Sequence, residues 1–376
     1  MLRKKTVIFA LAFFILCTLM SFSAGALSAS AAVVMKSDTG RVLYERNARE
    51  KMSMASTTKI MTALLAVESG KMQQNVTVTQ KMTAVEGTSM GLRRGDVLTL
   101  ENIVRGMMLL SGNDAANAVA EFLSGSSEKF SERMNEKAKS IGMNDTNFVT
   151  PSGLDDEEHY TTAYDMALLG SYAMKNPAFR RIVSEYYGVV EYSEPKTEYT
   201  YRNHNRFLTM YDGACGIKTG FTKKSGRCLV TAVEKEGSVI VAVTLKAPDD
   251  WNDHVELYND CLPMLEALDF DKKIGAVVRV VGGDSSGVSA EISGVPRIVS
   301  ADGEQFSYKI LTDKFIYAPV RTGERVGEVR FYLDGKCVAA SELVSRQNIG
   351  RSETKKSGFK DKFFNIFRRR KWQTTA

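Results

Sequence analysis

The apolar residues of this chain change their period near Gly213, and that change constrains the fold more than any other feature. Upstream the spacing is helical. Ile60, Met61, Leu64 and Leu65 share one side of 56–69, and 100–110, 114–123, 127–141 and 162–174 carry similar patterns. Downstream, 215–222, 228–234 and 239–245 read as consecutive antiparallel strands, with turns at Lys224-Ser225-Gly226 and Glu236-Gly237. A hairpin over 31–48 precedes the helices, turning at Ser37-Asp38-Thr39-Gly40. Residues 251–268 return to a helical pattern suited to packing on the sheet. The expected class is α/β (α+β). Residues 274–345 hold β-type runs at 277–281, 305–311 and 326–333 and no helical pattern, which predicts a small all-β domain.

Length and composition fit two globular domains. The 376 residues are 44% hydrophobic and 25% charged, which excludes a disordered, collagen-like or disulfide-knot protein. Charge is placed unevenly. Of a net +6, residues 1–26 carry +3 and 351–376 carry +7, leaving −4 on 27–350. A basic working face is therefore disfavoured, and no nucleic-acid partner is expected.

The two ends read as addresses. Arg3, Lys4 and Lys5 precede an apolar run from Val7 to Met20, too short for an ordinary membrane span, so 1–26 reads as a secretory signal peptide. Cleavage after Ala26 is preferred, with 29–31 also fitting; an uncleaved anchor is the alternative. Either places the body outside the cytoplasm. Near the other end, Phe359, Phe363, Ile366 and Phe367 recur at helical spacing among lysines and arginines. That is the pattern of a helix lying on an anionic membrane surface, with a disordered basic tail as the alternative. The division read from sequence is thus a leader (1–26), an α/β domain (27–270), a small β-rich domain (271–350) and a basic amphipathic membrane-anchoring helix (351–376).

Cysteine use is uninformative. Cys215, Cys228, Cys261 and Cys337 fit no metal spacing and are too scattered for a disulfide framework. Small apolar residues in or near strands are the plainest reading. A Cys215–Cys228 bridge across one predicted hairpin stays open.

An exported hydrolase with a covalent intermediate needs a nucleophile, a base and donors for the oxyanion. His159, His204 and His254 leave a Ser-His-Asp arrangement open in principle. Gly283-Asp284-Ser285-Ser286-Gly287 matches G-x-S-x-G, but no helix follows, so it reads as a turn. Lysine is the other available base. Ser-x-x-Lys occurs five times, Lys-[Ser/Thr]-Gly three times and Ser-x-Asn once, so context must choose among them. Only Ser56-Thr57-Thr58-Lys59 opens an apolar helix. There i and i+3 share a face, and the free N–H groups of the helix start favour an oxyanion. Alone, this match reads better as an N-cap serine and a surface lysine. Ser111-Gly112-Asn113 falls between two helical patterns, where it either presents both side chains to a cleft or caps the next helix. Lys218 and Thr219 point to opposite faces of a strand, so both reach a cleft only from an edge. Gly220 would let a substrate backbone lie against that edge, although an ordinary strand is the plainer reading of this tripeptide alone.

Together and in this order, Ser56-x-x-Lys59, Ser111-x-Asn113 and Lys218-Thr219-Gly220 are jointly specific. The chain resembles the low-molecular-mass penicillin-binding proteins, serine-type D-alanyl-D-alanine carboxypeptidases. The resemblance runs from about residue 32 to 347. It includes Met52-Ser53-Met54-Ala55, Asp114-Ala115-Ala116, Asn147-Phe148-Val149-Thr150-Pro151-Ser152-Gly153-Leu154 and the flanks Gly216-Ile217 and Phe221-Thr222. It departs at Ser152, where a histidine often follows the proline; neither Ser152 nor His159 has a role in the motif set.

The resemblance implies the serine penicillin-recognising fold, an antiparallel sheet flanked by helices with a helical subdomain, plus the small all-β domain. It implies that Ser56 attacks the carbonyl of the penultimate D-alanine of a peptidoglycan stem peptide. Lys59 takes the proton, its pKa lowered by burial and by Lys218. Ser111 hydrogen-bonds into this network and passes a proton to the leaving D-alanine. Lys218 supports the network, Thr219 binds the terminal carboxylate, and Asn113 contacts the substrate backbone beside Gly220. Backbone N–H groups of Ser56 and Phe221 form the oxyanion hole. β-Lactams are the implied covalent inhibitors, and no metal or organic cofactor is implied. Three rivals stay in view. A β-lactamase is disfavoured because no Glu-x-x-Leu-Asn-type segment lies between Asn113 and Lys218. A transpeptidase would share the acyl-enzyme. A silent wall-binding protein is disfavoured by the intact motifs.

Overall fold

The computed structural model describes residues 27–269 and 274–352, so the expected leader and nearly all of the expected C-terminal helix lie outside the described residues. Two compact units divide between Glu266 and Ala267.

The first unit is built on a five-stranded antiparallel sheet. Strand β1 (Ala31–Lys36) is buried throughout, and β2 (Arg41–Arg46) pairs with it as an exposed edge. Six helices of seven or more residues follow: α1 (Lys59–Glu68), α2 (Leu100–Leu110), α3 (Asn113–Ser124), α4 (Ser127–Ile141), α5 (Ala163–Ala173) and α6 (Pro177–Val183). Their starts are specified locally. The side-chain oxygens of Thr99, Ser126, Thr162 and Asn176 accept N–H groups two or three residues on, and Pro177 occupies a first-turn position where its missing N–H costs nothing. Helix α1 is buried from Lys59 to Ala66, so it is wrapped by the others rather than laid on a surface. After a two-stranded hairpin, β3 (Tyr187–Tyr192) and β4 (Thr197–Arg202), the chain returns to the sheet. There β5 (Ala214–Thr222), β6 (Gly226–Lys235) and β7 (Ser238–Leu245) run consecutively, and α7 (Asp250–Cys261) closes the unit.

Sheet order is β2-β1-β7-β6-β5, so β5 is the edge that Lys218 and Thr219 required. A single core joins the inner faces of the helices to the sheet, including Ile60, Leu64, Met107, Val119, Leu169 and Val230.

The expected α+β class is borne out, with local differences. The helix expected over 251–268 ends at Cys261. Pro263 follows in a 3-10 turn (Leu262–Met264), and a proline cannot donate the N–H that would continue the α-helix. Helix α6 and the β3–β4 hairpin had no assignment from sequence. The four cysteines among the described residues are free, and Cys228 faces Gly220 across the hairpin rather than Cys215, so the open bridge is not formed.

The second unit carries a six-stranded sheet and no helix among its described residues. Its strands are β8 (Gly275–Val281), β9 (Gly287–Ile292), β10 (Phe306–Thr312), β11 (Ile316–Tyr317), β12 (Arg325–Leu333) and β13 (Lys336–Ser345), ordered β10-β12-β13-β9-β8-β11. Val288, Val329, Phe331 and Leu343 centre its core. The G-x-S-x-G segment is the turn from β8 to β9, where the Ser285 hydroxyl donates to the Gly287 carbonyl at 3.0 Å.

Candidate active site

The turn before α1 brings the first pair together. Ala55–Thr58 is a 3-10 turn, in which residues i and i+3 eclipse. Lys59 Nζ accordingly lies 2.8 Å from Ser56 Oγ. The turn is pinned from within: the Thr57 hydroxyl donates to the Met54 carbonyl at 2.6 Å and the Thr58 hydroxyl to the Ala55 carbonyl at 2.8 Å. Ala55 itself holds φ 47°, an uncommon conformation for a residue with a side chain, directly before the serine.

Lys59 is fully buried and has two further partners, Asn113 Oδ1 at 2.8 Å and the Ser152 carbonyl at 2.7 Å. The Asn113 amide has a defined orientation, because its Nδ2 donates to the Glu86 carbonyl at 2.6 Å and so leaves Oδ1 toward the lysine. Both of these oxygens can only accept. A neutral amine has two N–H bonds and one lone pair. With two N–H bonds committed to Asn113 and Ser152, the lone pair is left for the hydroxyl of Ser56.

The electrostatics favour that neutral form. Burial is the main cause lowering the Lys59 pKa well below 10.5, the Lys218 cation adds to it, and Asp114 opposes it. Asp114 is committed elsewhere, accepting from the Ser89 hydroxyl and the N–H groups of Met90, Gly91 and Leu92, which ties that loop to the start of α3. Lys218 is also buried, and desolvation lowers its pKa to about 7; its Nζ donates to the Thr219 carbonyl at 3.0 Å.

Strand β5 comes very close to the 3-10 turn, and Gly220 makes that possible. A Cβ there would lie 3.1 Å from Met54 O, Ser56 N and Thr57 N, all backbone atoms. Ser56, Ser111, Thr219, Gly220 and Phe221 line one cleft of about 360 Å³, together with Thr88, His204, Arg206, Arg227, Asp250 and Trp251. Three stretches far apart in sequence therefore converge, as the motif order required. Ser111 sits at the α2 terminus with φ 63°. It shares the cleft, but the hydrogen bond expected from it to the lysine network is not formed: Lys59 is saturated by Ser56, Asn113 and Ser152, and Lys218 is bonded to Thr219.

Sequence reasoning passed over Ser152 and His159, and both contribute. Ser152 acts through its backbone carbonyl, which no side-chain motif can signal. His159 Nδ1 accepts from the Val149 N–H at 2.9 Å, so Nε2 carries the proton and donates to Thr58 Oγ at 2.8 Å. Burial lowers its pKa to about 4, and the neutral ring clamps 149–153 against the serine turn. Among the described residues, no group of three His, Cys, Asp or Glu side chains is placed to hold a metal ion.

Comparison with known proteins gives the family. The model of the D-alanyl-D-alanine carboxypeptidase family matches residues 18–249. The chain is 32% identical over 344 residues to D-alanyl-D-alanine carboxypeptidase DacF of Bacillus subtilis, covering 88% of this chain and 87% of that one. It is 31% identical over 351 residues to DacC of Escherichia coli, covering 87% and 85%. Penicillin binding protein 5 of Haemophilus influenzae superposes with a TM-score of 0.60 at 27% identity, covering 88% of this chain and all of that one. On these likenesses the chain belongs to the family of serine-type D-alanyl-D-alanine carboxypeptidases.

Proposed function

We propose that Ser56 is the acylated nucleophile of this carboxypeptidase, acting on the D-alanyl-D-alanine terminus of peptidoglycan stem peptides and trapped there by β-lactams. The geometry of Lys59 carries the reading. Its two obligate acceptors leave a lone pair facing the Ser56 hydroxyl, which is the arrangement a general base needs.

In acylation, Ser56 Oγ bonds to the carbonyl carbon of the penultimate D-alanine as its proton passes to Lys59 Nζ. The oxyanion is held by the backbone N–H groups of Ser56 and Phe221. The C–N bond then breaks, and the proton travels through the Ser111 hydroxyl to the departing amine of D-alanine. Water afterwards attacks the ester, and Ser56 recovers its proton. Lys218 supports the potential of the cleft, while Thr219 and Gly220 present the edge of β5 to the substrate. Asn113 keeps one amide hydrogen for the substrate backbone after bonding Glu86.

Fluorescent penicillin will label the chain covalently, and Ser56→Ala will abolish both the label and D-alanine release. Labelling that survives Ser56→Ala would refute the assignment.

We further infer export and attachment to the outer face of the cell membrane, from the leader pattern of 1–26 and the basic amphipathic pattern of 351–376. Among the described residues no helix is long and apolar enough to cross a membrane. Deleting 355–376 is expected to move the protein from the membrane fraction to the soluble one; unchanged association would reject the attachment.

A further inference from the structure

The second unit exposes aromatic side chains beside the point where its last described residues end. Those residues are held in the unit. Val320 and Ile349 form one bridge, Gly283 and Arg351 another, and the Ser352 N–H donates to the Gly282 carbonyl at 2.8 Å. Gly282 directly follows β8. Strand β11 runs parallel to β8 as the edge of the sheet, pairing Val280 with Ile316 and Val281 with Tyr317. The Ala318 N–H donates to the Val281 carbonyl at 3.0 Å. The C-terminal end of β8 thus carries Tyr317 and Ser352 at adjoining positions.

Alternation decides what faces solvent. Val278 and Val280 of β8 turn into the core, with Ile316 packed against it, so Val277, Arg279 and Val281 turn outward and Tyr317 with them. Tyr317 is 70% exposed and Phe315 is 42% exposed, and their rings meet edge to face with centroids 5.4 Å apart. Val277 extends the same face and is 75% exposed. None of the three belongs to the core of this unit, so folding does not account for them. A cluster of exposed apolar side chains marks a contact surface more than scattered ones do.

The chain beyond Ser352 limits what lies opposite this surface. Phe359, seven residues on, is the first residue of the basic, aromatic pattern that reads as resting on a membrane. Seven residues reach at most about 25 Å when fully extended. A chain whose 359–372 rests on lipid therefore keeps this end of the second unit within about 25 Å of the headgroups. Tyrosine and phenylalanine are side chains that settle at that boundary. Charge allows it. Arg279 and Lys314 balance Asp284 and Asp313 near the rings, while 351–376 adds +7, which attracts an anionic surface to this end.

We propose that Phe315 and Tyr317 form a second membrane contact, entering the headgroup region of an anionic bilayer beside the C-terminal attachment. This rests on the attachment inferred above from 351–376. A single point of attachment leaves a body free to turn about it, whereas a second contact fixes its orientation. The second contact is also intramolecular once the first is made, so a small apolar surface suffices.

The test is binding of the full chain to vesicles of phosphatidylglycerol and phosphatidylcholine, followed by sedimentation and by hydrogen–deuterium exchange. Vesicles are expected to protect the amides of 313–318. The double variant Phe315→Ser/Tyr317→Ser should bind about 10-fold more weakly and lose that protection, with penicillin labelling of Ser56 unchanged. Equal affinity in the double variant, or no protection of 313–318 in the unsubstituted chain, overturns the contact. If deleting 355–376 still releases the protein in that case, the attachment stands without it. A full chain that does not bind the vesicles overturns both. Protection of 313–318 that appears without lipid as protein concentration rises assigns the surface to a second copy of the chain and overturns the proposal.

Discussion

Lys59→Met will slow acylation of Ser56 by at least about 100-fold and up to about 10,000-fold, the range lost when a positioned general base is removed. Methionine matches the length of the lysine stem, so the space is kept and the amine alone is lost. The variant will also leave Asn113 Oδ1 and the Ser152 carbonyl without their shared donor. Each buried acceptor left unpaired costs about 1–3 kcal/mol, offset in part because a desolvated amine has been taken out of the core. Thermal unfolding followed beside β-lactam acylation separates the two effects. A variant that melts normally and still acylates at the parent rate would remove Lys59 from the chemistry.

The pH dependence has a definite sign. Acylation needs Lys59 neutral, so its rate will rise with pH through a pKa that burial and the neighbouring Lys218 cation place well below 10.5. Stability moves the same way. Lys218, pushed down to about 7, binds fewer protons in the folded chain than the unfolded chain does between about 7 and 10.5, so folding gains as pH rises through that window and loses as pH falls. An acylation rate that falls as pH rises through neutrality would contradict the assignment.

Gly153→Ala will disable the same site without touching a reactive side chain. Gly153 holds φ 86°, where a side chain is strained, and its Cβ would lie 1.9 Å from the Ala55 carbonyl oxygen and 2.7 Å from Thr58 Oγ. No rotamer relieves an overlap with backbone, so 152–153 or the serine turn must move. Movement of either pulls the Ser152 carbonyl from Lys59 or distorts Ala55 ahead of Ser56. Strain and displacement together should cost about 3–5 kcal/mol. For a unit of this size that is a fall in Tm of roughly 6–20 °C. Differential scanning calorimetry with penicillin labelling checks both consequences. A variant with the parent Tm and labelling would show that the close approach of these segments is dispensable.

How much of this was legible beforehand depended on the kind of interaction. Helix α2 could be read to the residue from its apolar stripe, a local property of a short stretch, while the Thr99 cap came from the structure. The consecutive strands β5 to β7 were equally plain from alternation and turn residues. Helix α7 was overextended because the apolar pattern continues past Pro263, where the backbone cannot follow. Side-chain motifs marked Ser56, Lys59, Ser111, Asn113 and Lys218, since chemistry of this type demands particular functional groups at particular spacings.

Sequence alone therefore determined the candidate reactive groups, the order of the motifs and the alternation of helix and strand, all of which depend on residue type and near neighbours. Only the tertiary structure decided what state those groups are in. The carbonyl of Ser152, the orientation of the Asn113 amide set by Glu86 and the clamp from His159 join residues tens of positions apart. Backbone atoms carry no sequence signature, and burial, which lowers the Lys59 pKa well below that of an ordinary lysine, belongs to the packed chain and not to any segment of it.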